Sequence, residues 1–186
     1  DPPGSEPGPA ALEIYLDTSG SMPAPNRALN AMTLAAQILS AAAIRHEGRV
    51  RAAIYSAGPP IVSDWMYDER TARRYLLNYA GGGTQFPFDV LEDWSADERD
   101  AIRVIISDDG FIHNLQSGES APKKLESAVD RSSPLVAMLA RWHATDSNSQ
   151  TDLLPVEHPK FRLVSVADVT ELGVAASRLA DALFES

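Results

Sequence analysis

The apolar positions of this chain fall into alternating short runs and helical stripes. Leu12 to Leu16 is a short apolar run, which reads as a buried strand. Pro23 and Pro25 forbid an early helix, Asn26 is a good N-cap, and Leu29, Met32, Ala36, Leu39 and Ala43 mark the inner stripe of a helix from Arg27 to His46. Glu47-Gly48 stops it. Val50 to Ser56 is a second strand. Gly58-Pro59-Pro60 turns the chain into a short third strand, Ile61 to Trp65, antiparallel to the second. Asp68 caps a helix running to Tyr79 with Leu76 inward, and Pro87 to Trp94 forms a shorter one, with a further turn at Asp97 to Arg99. Ala101 to Ser107 reads as a central strand, because Val104-Ile105-Ile106 is continuously apolar. Gly110 to Ala121 reads as a loop, and Pro122 opens a helix to Ser132. Leu135 to Ala140 and Phe161 to Val166 are strands on either side of a long polar loop, His143 to Pro159. Asp168 to Phe184 closes the chain as an amphipathic helix with Leu172, Ala176, Leu179 and Leu183 on one face.

Strands alternate with helices from end to end. That order predicts a three-layer, Rossmann-like α/β fold: a mostly parallel six-stranded sheet, one short antiparallel edge strand, and helices on both faces. The opening residues, Asp1 to Ala10, are rich in Pro and Gly and read as a linker, so residues 11–186 form the one domain. With no initiator Met, the chain reads as a domain cut from a longer protein.

Charge narrows the function classes. Twenty-six acidic residues against sixteen basic ones give a net charge of -10, which disfavours nucleic acid as a partner. No apolar run is long enough to span a bilayer. The absence of Cys removes disulfides and thiolate metal sites. His46, His113, His143 and His158 show no metal-ligand spacing, and Phe86, Phe88 and Trp94 read as core.

The remaining chemistry gathers at strand ends. Asp17, Ser19 and Ser21 lie at i, i+2 and i+4 after the first strand, so a turning loop can converge their oxygens. Ligands of such sheets bind beyond the carboxyl ends of the strands, where Asp108 also falls. Hard oxygen donors suit Mg²⁺ or Mn²⁺. Two carboxylates about 5 Å apart repel by about 3 kcal/mol at an effective dielectric of about 20, and a dication relieves this. Neutral hydroxyl ligands leave such an ion electrophilic enough to take one more anionic oxygen from outside.

Asp17-x-Ser19-x-Ser21, the Thr of Gly81-Gly82-Gly83-Thr84 and the Asp that follows Val104-Ile105-Ile106-Ser107 resemble, in that order, the metal-ion-dependent adhesion site of von Willebrand factor A (vWA) domains. The resemblance spans about Ala11 to Phe184. It implies Ser19, Ser21 and Thr84 as direct ligands of Mg²⁺ or Mn²⁺, Asp17 and Asp108 acting through water, and a partner protein's Asp or Glu completing the shell. With no nucleophile paired with a base and no GxxxxGK loop, the chain reads as a non-enzymatic binding module, and its Ala-rich helices and lack of Cys fit a bacterial, cytoplasmic setting. The resemblance adds an AAA+ ATPase of the MoxR type as one associate. A cell-surface adhesion module is the alternative setting, and metal-dependent phosphotransfer through Asp17 is the alternative chemistry. The family pattern reads Asp-Gly after the central strand, whereas this chain reads Asp108-Asp109-Gly110. Strand register favours Asp108 as the metal aspartate, and the glycine favours Asp109. The segment Phe111 to Glu119, beside Asp108, is a candidate for partner contact.

Overall fold

A computed structural model describes residues 9–20, 22–141 and 157–185. Strand β1, Ala11–Asp17, is buried at six of its seven residues and runs through the middle of the sheet. It is followed by α1 (Ala31–Arg45), β2 (Arg49–Tyr55), β3 (Ile61–Val62), α2 (Glu69–Tyr75), α3 (Phe88–Asp97), β4 (Ala101–Asp108), α4 (Gly110–Ser117), α5 (Ala121–Asp130), β5 (Ser132–Ala140), β6 (Phe161–Val166) and α6 (Leu172–Phe184). The strand order is β3-β2-β1-β4-β5-β6, parallel throughout except for β3. The chain leaves β1 toward β2 on one side and later returns to β4 on the other, so the β1–β4 seam is the switch point where such sheets open a crevice.

Alternate residues of the strands supply two cores. Leu12, Ile14, Leu16, Ile54, Val104 and Ile106 pack with Met32, Ala36 and Leu39 of α1 and with Leu172 and Ala176 of α6. Tyr15, Tyr55, Ile105 and Ala137 face the other way, toward Phe86 just before α3 and Leu91, Phe111, Leu115 and Leu125 of α3, α4 and α5. The three-layer α/β arrangement expected from the alternating pattern is the one observed. Each face buries its apolar residues at the period its element imposes.

Three local expectations are corrected. Helix α1 starts at Ala31, because Asn30 and not Asn26 is its cap. The Asn30 side chain accepts from the Thr33 N–H at 3.0 Å and donates to the Pro23 carbonyl at 2.9 Å, tying the cap to the preceding loop. Leu29 therefore precedes the helix and is 75% exposed. The segment after β4 is a helix, α4, since Phe111, Ile112 and Leu115 sit one turn apart and bury against the second core. Strand β3 is only two residues long, with a further antiparallel bridge between Val50 and Met66.

Near the start of the central strands lies an ionic ladder that the hydrophobic pattern hides. Glu13 is register partner of both Arg51 and Arg103. Its fully buried carboxylate accepts from Arg51 Nη2 and from Arg103 Nε at 2.6 Å each, and from the Tyr15 hydroxyl at 3.0 Å. The Arg51 guanidinium also sits over the rings of Trp65 and Trp94, 4.4 Å from each centroid.

Candidate functional site

At the opposite, carboxyl end of the strands, Asp17 closes β1 and Asp108 closes β4. The Asp17 side chain has no solvent exposure. Its Oδ1 accepts from the Ser19 N–H at 2.8 Å, and its Oδ2 accepts from Ser107 Oγ at 2.7 Å. Among the described residues no Lys, Arg or His forms an ion pair with it. A carboxylate closed off in this way and engaged on both oxygens is poorly placed to attack a phosphorus or carbonyl centre. Ser19 is 4% exposed, close behind it.

The loop after β1 is stitched to the glycine loop. Thr18 donates its N–H and its hydroxyl to the Tyr55 carbonyl, at 2.9 and 3.0 Å, and its hydroxyl accepts from the Ala80 N–H. The Gly81 N–H then donates to the Thr18 carbonyl at 3.0 Å, and the Gly20 N–H to the Gly82 carbonyl at 2.7 Å. Gly81 and Gly82 hold φ of 69° and 91°, a region that L side chains avoid, so these two glycines are what lets the loop lie along the Thr18–Gly20 segment.

That loop delivers Thr84, and α4 holds it. Asn114 of α4 donates from Nδ2 to the Thr84 carbonyl at 3.1 Å and accepts the Phe86 N–H on Oδ1 at 2.7 Å. Asp108, 6% exposed, accepts the Gly110 N–H on Oδ1 at 2.8 Å. A Cβ built on Gly110 would lie 2.7 Å from that Oδ1, 3.2 Å from Thr84 Cγ2 and 3.3 Å from Thr84 Cβ. Thr84 and Asp108 thus meet around a space that only a glycine at position 110 leaves open. Asp109 takes the αR conformation at the head of α4 and lines a separate small cavity with Ile112, Leu139 and Arg141.

Of the five residues expected at the site, Asp17 and Asp108 end the neighbouring strands β1 and β4, Ser19 and Thr84 stand on the two loops that are hydrogen-bonded to each other there, and Thr84 meets Asp108 around Gly110. Ser21 lies outside the described residues. The donor set is made of hard oxygens, carboxylate and hydroxyl, and the buried Asp17 forms no ion pair among the described residues; both fit an oxygen-seeking dication of the Mg²⁺ class. Among the described residues, no three His, Cys, Asp or Glu group as a metal cluster. With Asp17 and Asp108 as its carboxylates, hydroxyls and waters would have to supply most of any coordination here. A cleft of about 620 Å³ opens beside the Thr84 loop, with Gln85, Phe88, Asn114 and Lys124 in its walls.

The sequence reading missed Thr18, Ser107, Asn114 and Tyr55. Tyr55 is fully buried at the end of β2 as the register partner of Asp17. Burial holds its phenol well above the usual tyrosine pKa, and the Asp17 charge adds to this.

No protein-family model matches this sequence, and no curated protein matches it significantly. Solved structures do match the fold. The conserved hypothetical protein BatB from Bacteroides thetaiotaomicron superposes with a TM-score of 0.58 at 12% identity, over 95% of this chain and 100% of that one. The pilus adhesin SpaC from Lactobacillus rhamnosus GG, in its open conformation, gives 0.67 at 12% identity, over 97% of this chain and 30% of the adhesin. The SpRpn10 VWA domain gives 0.54 at 13% identity, over 88% of this chain and 93% of that domain. The chain therefore has a vWA-like fold, with the strand order and the two helical layers described above.

Proposed function

We propose that this chain is a metal-dependent protein-binding module, holding one Mg²⁺ or Mn²⁺ among Ser19, Ser21, Thr84, Asp17 and Asp108 and using it to take a carboxylate from a partner protein. The observation that carries the reading is Asp17: a fully buried carboxylate, hydrogen-bonded on both oxygens yet without an ion pair among the described residues, at the crevice where Thr84 and Asp108 also meet. Burying a carboxylate without a counter-charge is costly, and a bound dication offsets that cost. The ion, when bound, supplies a Lewis-acidic position. The protein's part is to keep its own ligands mostly neutral, to fix their loops by the Thr18, Gly82 and Asn114 hydrogen bonds, and to leave room beside Gly110. The cleft next to Thr84 gives the partner's flanking residues a place to lie.

The test uses thermodynamic reciprocity. If the ion takes an external carboxylate, acetate must raise the apparent affinity for Mn²⁺ by the factor by which Mn²⁺ raises the affinity for acetate. Mn²⁺ titrations at fixed ionic strength, in chloride and then in acetate, should show tighter binding of free Mn²⁺ in acetate. Unchanged affinity would remove the carboxylate-accepting role.

A further inference from the structure

Two loops carry the hydroxyls of the candidate site, and the side chain of Tyr79 joins them. Tyr79 stands between α2 and the glycine loop. Its hydroxyl donates to the Met22 carbonyl at 2.8 Å. Met22 closes the turn that begins at Ser19: its N–H donates to the Ser19 carbonyl at 3.3 Å, and its side chain, 7% exposed, joins the core shared with α1. On the other side of the turn, the Gly20 N–H donates to the Gly82 carbonyl at 2.7 Å. In sequence, Ser21 falls between Gly20 and Met22, and the segment from Tyr79 to Gly82 holds the backbones of both. Tyr79 is itself anchored. Ala72 of α2 and Leu76 at its end are fully buried in the core shared with α1. The ring of Tyr79 lies against Gly81, where a Cβ would meet its Cε1 at 3.3 Å. Phenylalanine at position 79 would keep that ring contact and lose only the link to Met22.

We propose that Tyr79 is a positioning residue for the divalent-cation site: its hydroxyl locks the Ser19–Met22 turn onto the glycine loop, so that the hydroxyls of the two loops keep one spacing before any ion binds. This rests on the reading of Ser19, Ser21 and Thr84 as metal ligands. Neutral hydroxyls hold a dication weakly one by one, so a site built mainly from them depends on their being placed in advance. Any ordering of the loops left to the ion would be subtracted from its affinity. The Thr18 and Gly20 hydrogen bonds fix the near side of the turn, and the Tyr79 hydrogen bond fixes its far side, beyond Ser21. Outer-layer partners of this kind tune metal affinity without touching the metal.

The experiment compares the unmodified chain with Tyr79→Phe and with Asn78→Ala. The second variant is a control: it removes a hydrogen bond of the same segment, Asn78 Nδ2 to the Tyr75 carbonyl at 2.7 Å, without touching the turn. Two quantities are measured on each, the amide hydrogen exchange of Gly20 and Gly81 in the metal-free protein and the affinity for Mn²⁺ by equilibrium dialysis. One lost hydrogen bond shifts a local opening by about fivefold, so Tyr79→Phe should speed exchange at Gly20 and Gly81 by about that factor. It should weaken Mn²⁺ binding by about fivefold to tenfold, the range of an outer-layer partner. Asn78→Ala should change neither quantity. Unchanged exchange in Tyr79→Phe would overturn the lock. Faster exchange with unchanged Mn²⁺ affinity would overturn the positioning role, and equal losses in Asn78→Ala would do so too, by showing a general loosening of the segment. If the unmodified chain binds no Mn²⁺, the metal site itself is wrong and the positioning role falls with it; the metal-free exchange tells that failure apart from a failure of the lock.

Discussion

Replacing Glu13 is the sharpest perturbation of the fold that the structure allows. Its carboxylate meets two guanidinium groups at 2.6 Å, and the side chains of Glu13, Arg103 and Arg51 are 0%, 0% and 7% exposed. Glu13→Ala leaves both cations in place. Arg51 keeps Asp97 at 3.0 Å and the Trp94 carbonyl at 3.2 Å, while Arg103 keeps the Arg131 carbonyl at 2.9 Å and Ser132 Oγ at 3.0 Å. Their hydrogen bonds are thus partly met, but the charge of Arg103 loses its buried counterpart. Breaking such a pair costs about 3–5 kcal/mol, against a total stability of about 5–15 kcal/mol for a domain. With a urea slope of about 2 kcal/mol/M, the unfolding midpoint should fall by about 2 M at unchanged slope. Replacing the three residues together by Leu, Met and Leu should cost less than Glu13→Ala alone, since no buried charge remains. A midpoint shift below about 0.5 M for Glu13→Ala, equivalent to about 1 kcal/mol, would refute the reasoning. It would mean that the remaining partners suffice for both guanidiniums.

Two further perturbations act nearer the strand ends and on the last helix. Gly110→Ala places a methyl 2.7 Å from Asp108 Oδ1 and against Thr84, so it should push those two apart and weaken Mn²⁺ binding by about tenfold or more, on the scale of misplaced metal-site residues, as read by calorimetry. Asp168 caps the final helical segment, accepting the Thr170 N–H at 2.8 Å, and this hydrogen bond lowers its pKa. A lowered folded-state pKa contributes stability that is present above the unfolded value of about 3.9 and is lost as pH falls through the folded one. Asp168→Ala should therefore lower the melting temperature near neutral pH, with the gap from the unmodified chain closing in acid. A gap that is constant with pH would contradict the capping account.

Much of the fold was legible because it rests on periodicity. Phe161 to Val166 and the run around Val104-Ile105-Ile106 are strands as read, and Leu172, Ala176 and Leu179 are buried on one face of α6 as their spacing requires. What was not legible depends on tertiary partners. Nothing local separates Asn26 from Asn30 as a cap; the carbonyl of Pro23 decides it. Helix α4 is only eight residues long and stands between glycines, so its turn signals mask the Phe111, Ile112 and Leu115 spacing. The Glu13–Arg51–Arg103 ladder comes from residues far apart in sequence that only the sheet register brings together. At the site, Asp17 and Asp108 were readable from strand ends and Ser19 from its spacing to Asp17, whereas Thr84 came from the family resemblance alone. The structure adds that Asp108 Oδ1 and Thr84 border the same space at Gly110, while Asp109 lines a separate cavity. Thr18, Ser107, Asn114 and Tyr55 carry no spacing signal, because they act through long-range hydrogen bonds and burial.

The most direct test of the central claim is calorimetric titration of Mg²⁺ and Mn²⁺ into the metal-free chain and into its Asp17→Ala and Asp108→Asn variants, with Asp109→Asn as the control. The account predicts one ion per chain, lost in Asp17→Ala, weakened in Asp108→Asn and retained in Asp109→Asn. An unmodified chain that binds neither ion, or binding that survives Asp17→Ala unchanged, would contradict it.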